Sequence, residues 1–175
     1  MFIKKGSDNY LNKIMKKIYS LPAADKKGDE NMSDNTTEIE LNLINDKVKF
    51  LGKSGKNHDI IIDYAPPFGD GEGYTSLELL LVSLASCLST TLLALIRNEL
   101  KKNIISLKVA GYGKRRTEHP KNFLEINLKY DIVSNDLSES DFRNMVALAE
   151  SKYCPVWTML DKNVKVNIET SIKKE

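Results

Sequence analysis

Two cysteines are the residues of this chain with the most evident chemical potential. Cys87 lies inside the apolar run LLLVSLASCLSTTLLALI, and Cys154 begins a Cys-Pro-Val segment directly after a helical pattern. A thiolate is the nucleophile of cysteine chemistry, and a second thiol nearby can make its oxidation reversible. Free cysteines are also among the most buried residues and commonly act as packing. The sequence therefore leaves two interpretations open, a redox pair or two core residues.

Other chemistry finds little support in the residue pattern. His58 and His119 have no metal-ligand spacing with each other or with the cysteines, so we expect no metal and no cofactor. The glycine-rich run FGDGEG contains two acids and no following lysine, unlike a phosphate-binding loop. The formal net charge is only +2, and arginine, the residue best suited to bidentate phosphate and base contacts, is scarce. A nucleic-acid partner is not expected.

Periodicity predicts the elements that must position the cysteines. From Thr36 apolar and polar residues alternate, as in a half-buried strand, and a turn at Asn45-Asp46 leads into a second strand. A third strand and a Gly/Pro-rich loop lead to an apolar helix that begins near Thr75 or Ser76. The predicted order is β-β-β-α-β-β-α-β, an α+β fold with a largely antiparallel sheet and two core helices. The remaining predicted elements are strands near 58–64, 105–112, 123–130 and 164–170, and helices over 77–96 and about 141–152.

The helix from Leu77 to Ile96 is long enough to span a membrane, with Glu78 as its one charged residue. Five hydroxyl residues and the lack of an aromatic belt argue against that interpretation. A helix that is apolar nearly all round also suits the centre of a globular core. We therefore expect no membrane association. Two cysteines are too few for a disulfide scaffold and no signal-peptide pattern is present, which favours the reducing cytoplasm.

The first 35 residues differ from the rest. Apolar residues at helical spacing among lysines predict a short amphipathic helix, which Leu21-Pro22 ends. The polar stretch AADKKGDENMSDN that follows is typical of a linker. We therefore predict an N-terminal extension over residues 1–35, within which Met32 offers an alternative, native start, and one domain over residues 36–175.

Both cysteine contexts resemble the OsmC/Ohr family of thiol-dependent peroxidases. The similarity is carried by GYTSLELLLVSLASCLSTTL, by ALAESKYCPV and by the order of the strands, and it covers the chain from about Thr36 to its end. The resemblance implies an OsmC-like fold and an intertwined homodimer whose two long helices form a shared core. It also implies that Cys87 attacks a hydroperoxide, that Cys154 resolves the resulting sulfenic acid as a disulfide, and that a thiol reductant reopens the disulfide.

The sequence departs from this family pattern at two positions. Family peroxidases hold the reactive thiolate with an arginine of the first hairpin, but no arginine precedes Arg97 here. Lys47 falls near the expected place, with Lys49 or Lys53 as alternatives, and a lysine supplies charge without the guanidinium fork. The family glutamate that fixes the arginine is best matched by Glu78.

Glu78 lies nine residues before Cys87, which places the two on opposite faces of one helix. Glu78 would then serve a partner subunit's site or complement the helix N-terminus. Trp157, just beyond Cys154, is expected to be a wall or lid of the pocket, or part of an interface core. Because of the missing arginine, a second hypothesis stays open: a non-catalytic OsmC-fold protein that binds a small ligand or responds to redox state.

Overall fold

The computed structural model describes residues 36–160 and 162–175, and the predicted N-terminal extension over 1–35 lies outside the described residues. Six strands and three α-helices occur in the described part. They form the predicted α+β arrangement, with a short third helix that was not foreseen. In chain order they are β1 (Glu40–Leu43), β2 (Phe50–Lys53), β3 (Ile60–Ile62), α1 (Ser76–Asn98), β4 (Ser106–Arg115), β5 (Phe123–Val133), α2 (Glu139–Leu148), α3 (Pro155–Thr158) and β6 (Lys165–Lys173).

The strands form two three-stranded sheets. The first has the order β1-β2-β3 and is antiparallel throughout, with Leu43 opposite Phe50 and Phe50 opposite Ile62. The second has the order β4-β5-β6, in which β4 and β5 are antiparallel but β5 and β6 are parallel. Three of the four strand pairings are antiparallel, as predicted, and the parallel pairing of β6 with β5 is the exception. The physical reason is the connection, because the helices between β5 and β6 form a crossover that returns the chain to the same end of the sheet.

The core lies between the second sheet and the helices. Alternate residues of β5 are fully buried, and α1 places a stripe at helical spacing in the same core. Burying a large apolar side chain contributes about 1.5–3 kcal/mol, so this cluster supplies much of the stability that holds the cysteines in place. The fully or almost fully buried members are Leu84, Leu88, Leu92, Leu95 and Ile96 of α1, Ile126, Leu128, Tyr130 and Ile132 of β5, and Phe142 of α2.

Both longer helices begin with reciprocal capping. Thr75 caps α1, where its hydroxyl accepts the Glu78 N–H while the Glu78 carboxylate accepts the Thr75 N–H. Ser138 caps α2 in the same way with Asp141. Each box satisfies two backbone donors that would otherwise lack partners, which fixes where the helix starts.

By length and composition α1 would be able to cross a membrane. A core helix passes the same test, and α1 lies against β4, α2 and α3. Its buried leucines belong to the core described above. The packing of α1 thus agrees with the prediction of a core helix rather than a membrane span.

Candidate functional site

The structure brings the two cysteine sulfurs together. Cys154 Sγ lies 3.3 Å from Cys87 Sγ, and the Cys154 thiol donates to the Cys87 sulfur. Both cysteines are free; Cys87 is half-buried and Cys154 is fully buried. A disulfide has an S–S length of about 2.05 Å, so closing the bond would require a relative movement of only about 1.3 Å. This geometry allows direct reaction between the two sulfurs.

Cys154 is positioned by an irregular stretch of helix. Its N–H donates to the carbonyl of Ala149 at 2.9 Å, five residues back, and the segment Ala149–Tyr153 forms a π-helical turn at the end of α2. Pro155 then begins α3 at the position where a missing N–H costs least. The predicted Cys-Pro-Val turn is therefore the start of a short helix. Single π-helical turns of this kind are frequent at functional sites.

The environment of Cys154 keeps its thiol protonated. Burial, together with contact with Cys87, raises the pKa of Cys154 to about 11, although the N–H groups of Trp157 and Val156 oppose the shift by hydrogen bonding to the sulfur. A thiol with this pKa is overwhelmingly neutral at physiological pH. Cys154 is therefore a hydrogen-bond donor at rest, and Cys87 is the sulfur that a reagent from solvent would meet first.

Glu78 serves the start of α1. Its carboxylate accepts the Thr75 N–H at 2.7 Å and the Thr75 hydroxyl at 2.9 Å. These hydrogen bonds lower the pKa of Glu78, the backbone bond first. Its hydrogen bonds thus complement the helix N-terminus, which is one of the two roles expected for Glu78. None of these hydrogen bonds involves Cys87.

Lys47 is engaged with a loop rather than with a cysteine. Its ammonium is exposed and lies 2.6 Å from Asp70, and Lys49 bridges Asp70 and Glu72 at 2.8 and 2.7 Å. The hydrogen bond to Asp70 raises the pKa of Lys47. Within the described part of this one chain, neither lysine has a contact with Cys87. The hairpin lysines therefore anchor the glycine-rich loop in front of α1.

Asp63 is a site residue that the sequence analysis missed. Its carboxylate is fully buried and accepts the N–H groups of Tyr64 at 2.8 Å and of Asp70 and Glu72 at 3.1 Å each. Burial of this carboxylate opposes its ionisation, but the three backbone donors outweigh burial and lower the pKa of Asp63. A Cβ on Gly69 would lie 2.1 Å from Asp63 Oδ1, so only glycine fits there. An acid directly before a glycine-rich loop was the available signal.

Tyr130 and Ser89 are two further residues that the sequence analysis did not select. Tyr130 of β5 is fully buried, and its ring lies 5.3 Å from that of Phe142 on α2. Its hydroxyl lies 3.4 Å from the hydroxyl of Ser89, which also donates to the Ala85 carbonyl at 2.6 Å. Burial, with a smaller contribution from the Cys154 charge, raises the pKa of Tyr130 to about 12, although the Ser89 hydrogen bond opposes the shift. Tyr130 therefore keeps its proton at physiological pH.

Trp157 forms part of a groove between α2 and the edge strand β6. The groove encloses about 610 Å³, and its lining combines apolar and polar side chains: Phe142, Val146, Trp157, Val166 and Ile168 with Glu139, Arg143, Glu150, Glu169 and Thr170. A smaller cavity of about 290 Å³ lies between α1 and β4. Neither of these cavities includes Cys87 or Cys154 among its lining residues. Among the described residues, no cluster of three or more His, Cys, Asp or Glu residues suits a metal ion.

Comparison with known proteins supports one family throughout. The family model described as OsmC-like protein matches residues 69–169, more than half of the chain. Protein YhfA of Escherichia coli K12 is 28% identical over 117 residues, which cover 67% of this chain and 84% of YhfA. The matched region contains α1 with Cys87 and the helices around Cys154.

Solved structures agree with this match. A hypothetical protein from Aquifex aeolicus is 30% identical, with a TM-score of 0.69 over 81% of this chain and 98% of that protein. An OsmC-like protein from Mycoplasma pneumoniae has 23% identity and a TM-score of 0.67 over 80% of this chain and 99% of its own. The organic hydroperoxide resistance protein OhrB of Bacillus subtilis shares the fold at 17% identity and a TM-score of 0.56, over 78% of this chain and 98% of OhrB.

Proposed function

The chain belongs to the OsmC-like family, and on that premise we propose that it is a thiol-dependent peroxidase that reduces hydroperoxides at Cys87. Membership confirms the resemblance predicted from the two cysteine contexts. Some proteins that share the fold carry the name organic hydroperoxide resistance protein. The likeness to them supports a hydroperoxide as substrate.

In the proposed reaction the Cys87 thiolate attacks the terminal oxygen of the hydroperoxide. The O–O bond breaks, Cys87 becomes a sulfenic acid, and the departing alkoxide or hydroxide takes up a proton. Cys154 then attacks the Cys87 sulfur: the S–S bond forms, the S–O bond breaks, and the Cys154 proton leaves with the hydroxide as water. A dithiol reductant returns both cysteines to thiols. No cofactor is needed for this cycle.

The observation that carries the proposal is the 3.3 Å separation of two free thiols that differ in access to solvent. The half-buried Cys87 is suited to meet a substrate, and the buried Cys154 is suited to react only with its neighbour. Fast resolution prevents further oxidation of the sulfenic acid to a sulfinic or sulfonic acid, and that further oxidation is largely irreversible. Two packing cysteines would have no need of this contact.

The test is stopped-flow reaction of the reduced protein with cumene hydroperoxide. Wild type should consume peroxide and lose both thiols, and Cys87→Ser should fall to the background rate because the nucleophile is gone. Cys154→Ser should react once and accumulate a sulfenic acid that a dimedone label detects. Equally slow peroxide loss in wild type and Cys87→Ser would contradict the proposal.

We also propose that the protein acts as a homodimer in the reducing cytoplasm. The apolar side chains of β1 support this, because Leu41 and Leu43 are about half exposed in the single chain. In a dimer, Lys47 and Glu78 would lie near the partner subunit's thiols, which would give them the roles that the family resemblance implies. Those two roles stay predictions.

A second candidate function is ligand binding without turnover. It is favoured by the engagement of Lys47 with Asp70, since no cation then lies beside Cys87 in the described chain. The groove at Trp157 would be large enough for a small ligand with both apolar and polar groups. Binding of a small ligand in the absence of peroxide, with the same affinity in Cys87→Ser as in wild type, would support this function over the peroxidase.

A further inference from the structure

The groove at Trp157 has one firmly held wall and one weakly held wall. Val166 and Ile168 belong to β6, which pairs with β5 along all nine of its residues. Trp157 belongs to α3, a helix of four residues, none of which is buried. A short segment with few buried contacts shifts more easily than a strand within a sheet. The groove is therefore most easily changed from its Trp157 side.

Cys154 connects α3 to the cysteine pair. Its carbonyl accepts the Thr158 N–H at 3.2 Å, so Cys154 forms the start of α3. Its N–H closes the preceding π-helical turn on the Ala149 carbonyl at 2.9 Å, and its sulfur lies 3.3 Å from that of Cys87. Trp157 follows three residues later. Cys154 is therefore the residue through which the redox state of the pair can reach the groove.

Disulfide formation requires the two sulfurs to approach by about 1.3 Å, so at least one cysteine has to shift. Cys87 lies in the middle of α1, where the neighbouring Leu84 and Leu88 are fully buried in the core. Cys154 lies at a break between two helical segments, and the π-helical turn before it has only one buried residue. Close-packed core side chains resist displacement. The shift is therefore expected at Cys154 rather than at Cys87.

We propose that the groove at Trp157 is a redox-sensitive switch. When the disulfide between Cys87 and Cys154 closes, the Cys154 N–H leaves the Ala149 carbonyl and α3 moves with Cys154. The Trp157 wall of the groove then shifts, while α1 and β6 stay in place. Closing the disulfide transfers two electrons and two protons from the thiols to an oxidant. A hydroperoxide is one such oxidant, but the switch requires only the disulfide and no peroxide turnover.

The test compares the reduced protein with protein oxidised by diamide, which takes up the two electrons and two protons of the thiols. Amide hydrogen exchange followed by NMR should show the Cys154 N–H exchanging about tenfold faster after oxidation, because one hydrogen bond is lost. The amides of α1 beside Cys87 should keep their exchange rates. Trp157 is the one tryptophan of the chain, so the rate constant for acrylamide quenching of its fluorescence lifetime should differ between the two states.

Cys87→Ser is the matched control, because it keeps Cys154 but cannot form the disulfide, and diamide should change neither measurement in it. Reduction with dithiothreitol should restore the starting values in wild type, which gives a control that needs no variant. Unchanged exchange at Cys154 would overturn the inference, and so would an unchanged quenching rate constant or changes confined to α1. Failure of diamide to remove both free thiols would overturn it as well. Absence of peroxide turnover with these changes intact would contradict only the proposed peroxidase.

Discussion

At the scale of single residues, the buried carboxylate of Asp63 organises the approach to α1. It joins Tyr64 at the end of β3 to Asp70 and Glu72 of the glycine-rich loop through three backbone hydrogen bonds. Gly69 lies so close to this carboxylate that a methyl group would collide with it. Because α1 begins just after the loop and carries Cys87, Asp63 fixes the course of the chain that leads to the nucleophile.

Asp63→Asn should destabilise the protein and loosen this loop. An amide has one acceptor oxygen in place of two, and its NH₂ group would face a backbone N–H. We expect the melting temperature to fall by roughly 5–10 °C, because buried donors lose their acceptor. Thermal unfolding followed by circular dichroism measures the effect. Asp59→Asn, an exposed position on the approach to β3, is the control and should melt like wild type.

The lowered pKa of Asp63 predicts how the stability of the protein changes with pH. The folded-state pKa of Asp63 is lowered below its usual 3.8, so its stabilising contribution is complete above that value and is lost as the pH falls through the folded pKa. Acid unfolding should therefore be less steep in Asp63→Asn than in wild type. Parallel acid-unfolding curves for the two proteins would show that Asp63 is not the titrating group.

At the scale of elements, an ion pair ties the segment after α1 to the start of α2. Lys102 contacts Asp141, which also closes the capping box of Ser138. Lys102 and then Ser138 hold the pKa of Asp141 at about 2, below its usual 3.8. The start of the helix that leads to Cys154 is thus coupled to the end of the helix that carries Cys87.

Asp141→Asn should make the protein less sensitive to acid. Because the folded pKa is depressed, the contribution of Asp141 is fully present above a pH of about 4 and disappears between about 4 and 2. In that range the urea midpoint of unfolding should drop more in wild type than in the variant.

Loss of the cap should also cost about 1 kcal/mol at neutral pH in Ser138→Ala. Urea unfolding at several pH values measures both effects, and equal pH dependence would refute the role of Asp141.

Much of this architecture could be predicted because local patterns encode it. The apolar spacing of α1, a cap at Thr75 or Ser76, and the alternation of β5 all identify their elements. The direction of β6 could not be predicted, since alternation with period two is the same in parallel and antiparallel strands. Asp63, Tyr130 and Ser89 were missed for a related reason: their partners lie in other elements, and only the folded chain brings them together.

At the scale of the whole molecule, the single chain leaves apolar surface uncovered. Every residue of β1 is exposed, and Ile39, Leu41 and Leu43 present 71%, 50% and 55% of their surface. Only about one-third of the most apolar 18-residue stretch of α1 is buried within the chain. Exposed apolar side chains on an edge strand favour association with another chain. A second copy of the chain could cover these side chains.

Leu41→Asp combined with Leu43→Asp should therefore weaken the proposed homodimer. Each charge would have to be buried at the interface, and each leucine removed would forfeit about 1.5–3 kcal/mol of burial. The dissociation constant of the dimer should therefore rise by at least about tenfold.

Light scattering coupled to size-exclusion chromatography measures the mass across a dilution series. Asn42→Asp, on the opposite face of β1, is a control that adds a negative charge without removing an apolar side chain, and it should leave the mass unchanged. If the dimer completes the site, peroxide turnover in the double variant should recover as its concentration rises, because association restores the partner's contribution to the site. A monomeric wild type, or turnover independent of concentration in a variant shown to dissociate, would mean that each chain carries a complete site by itself.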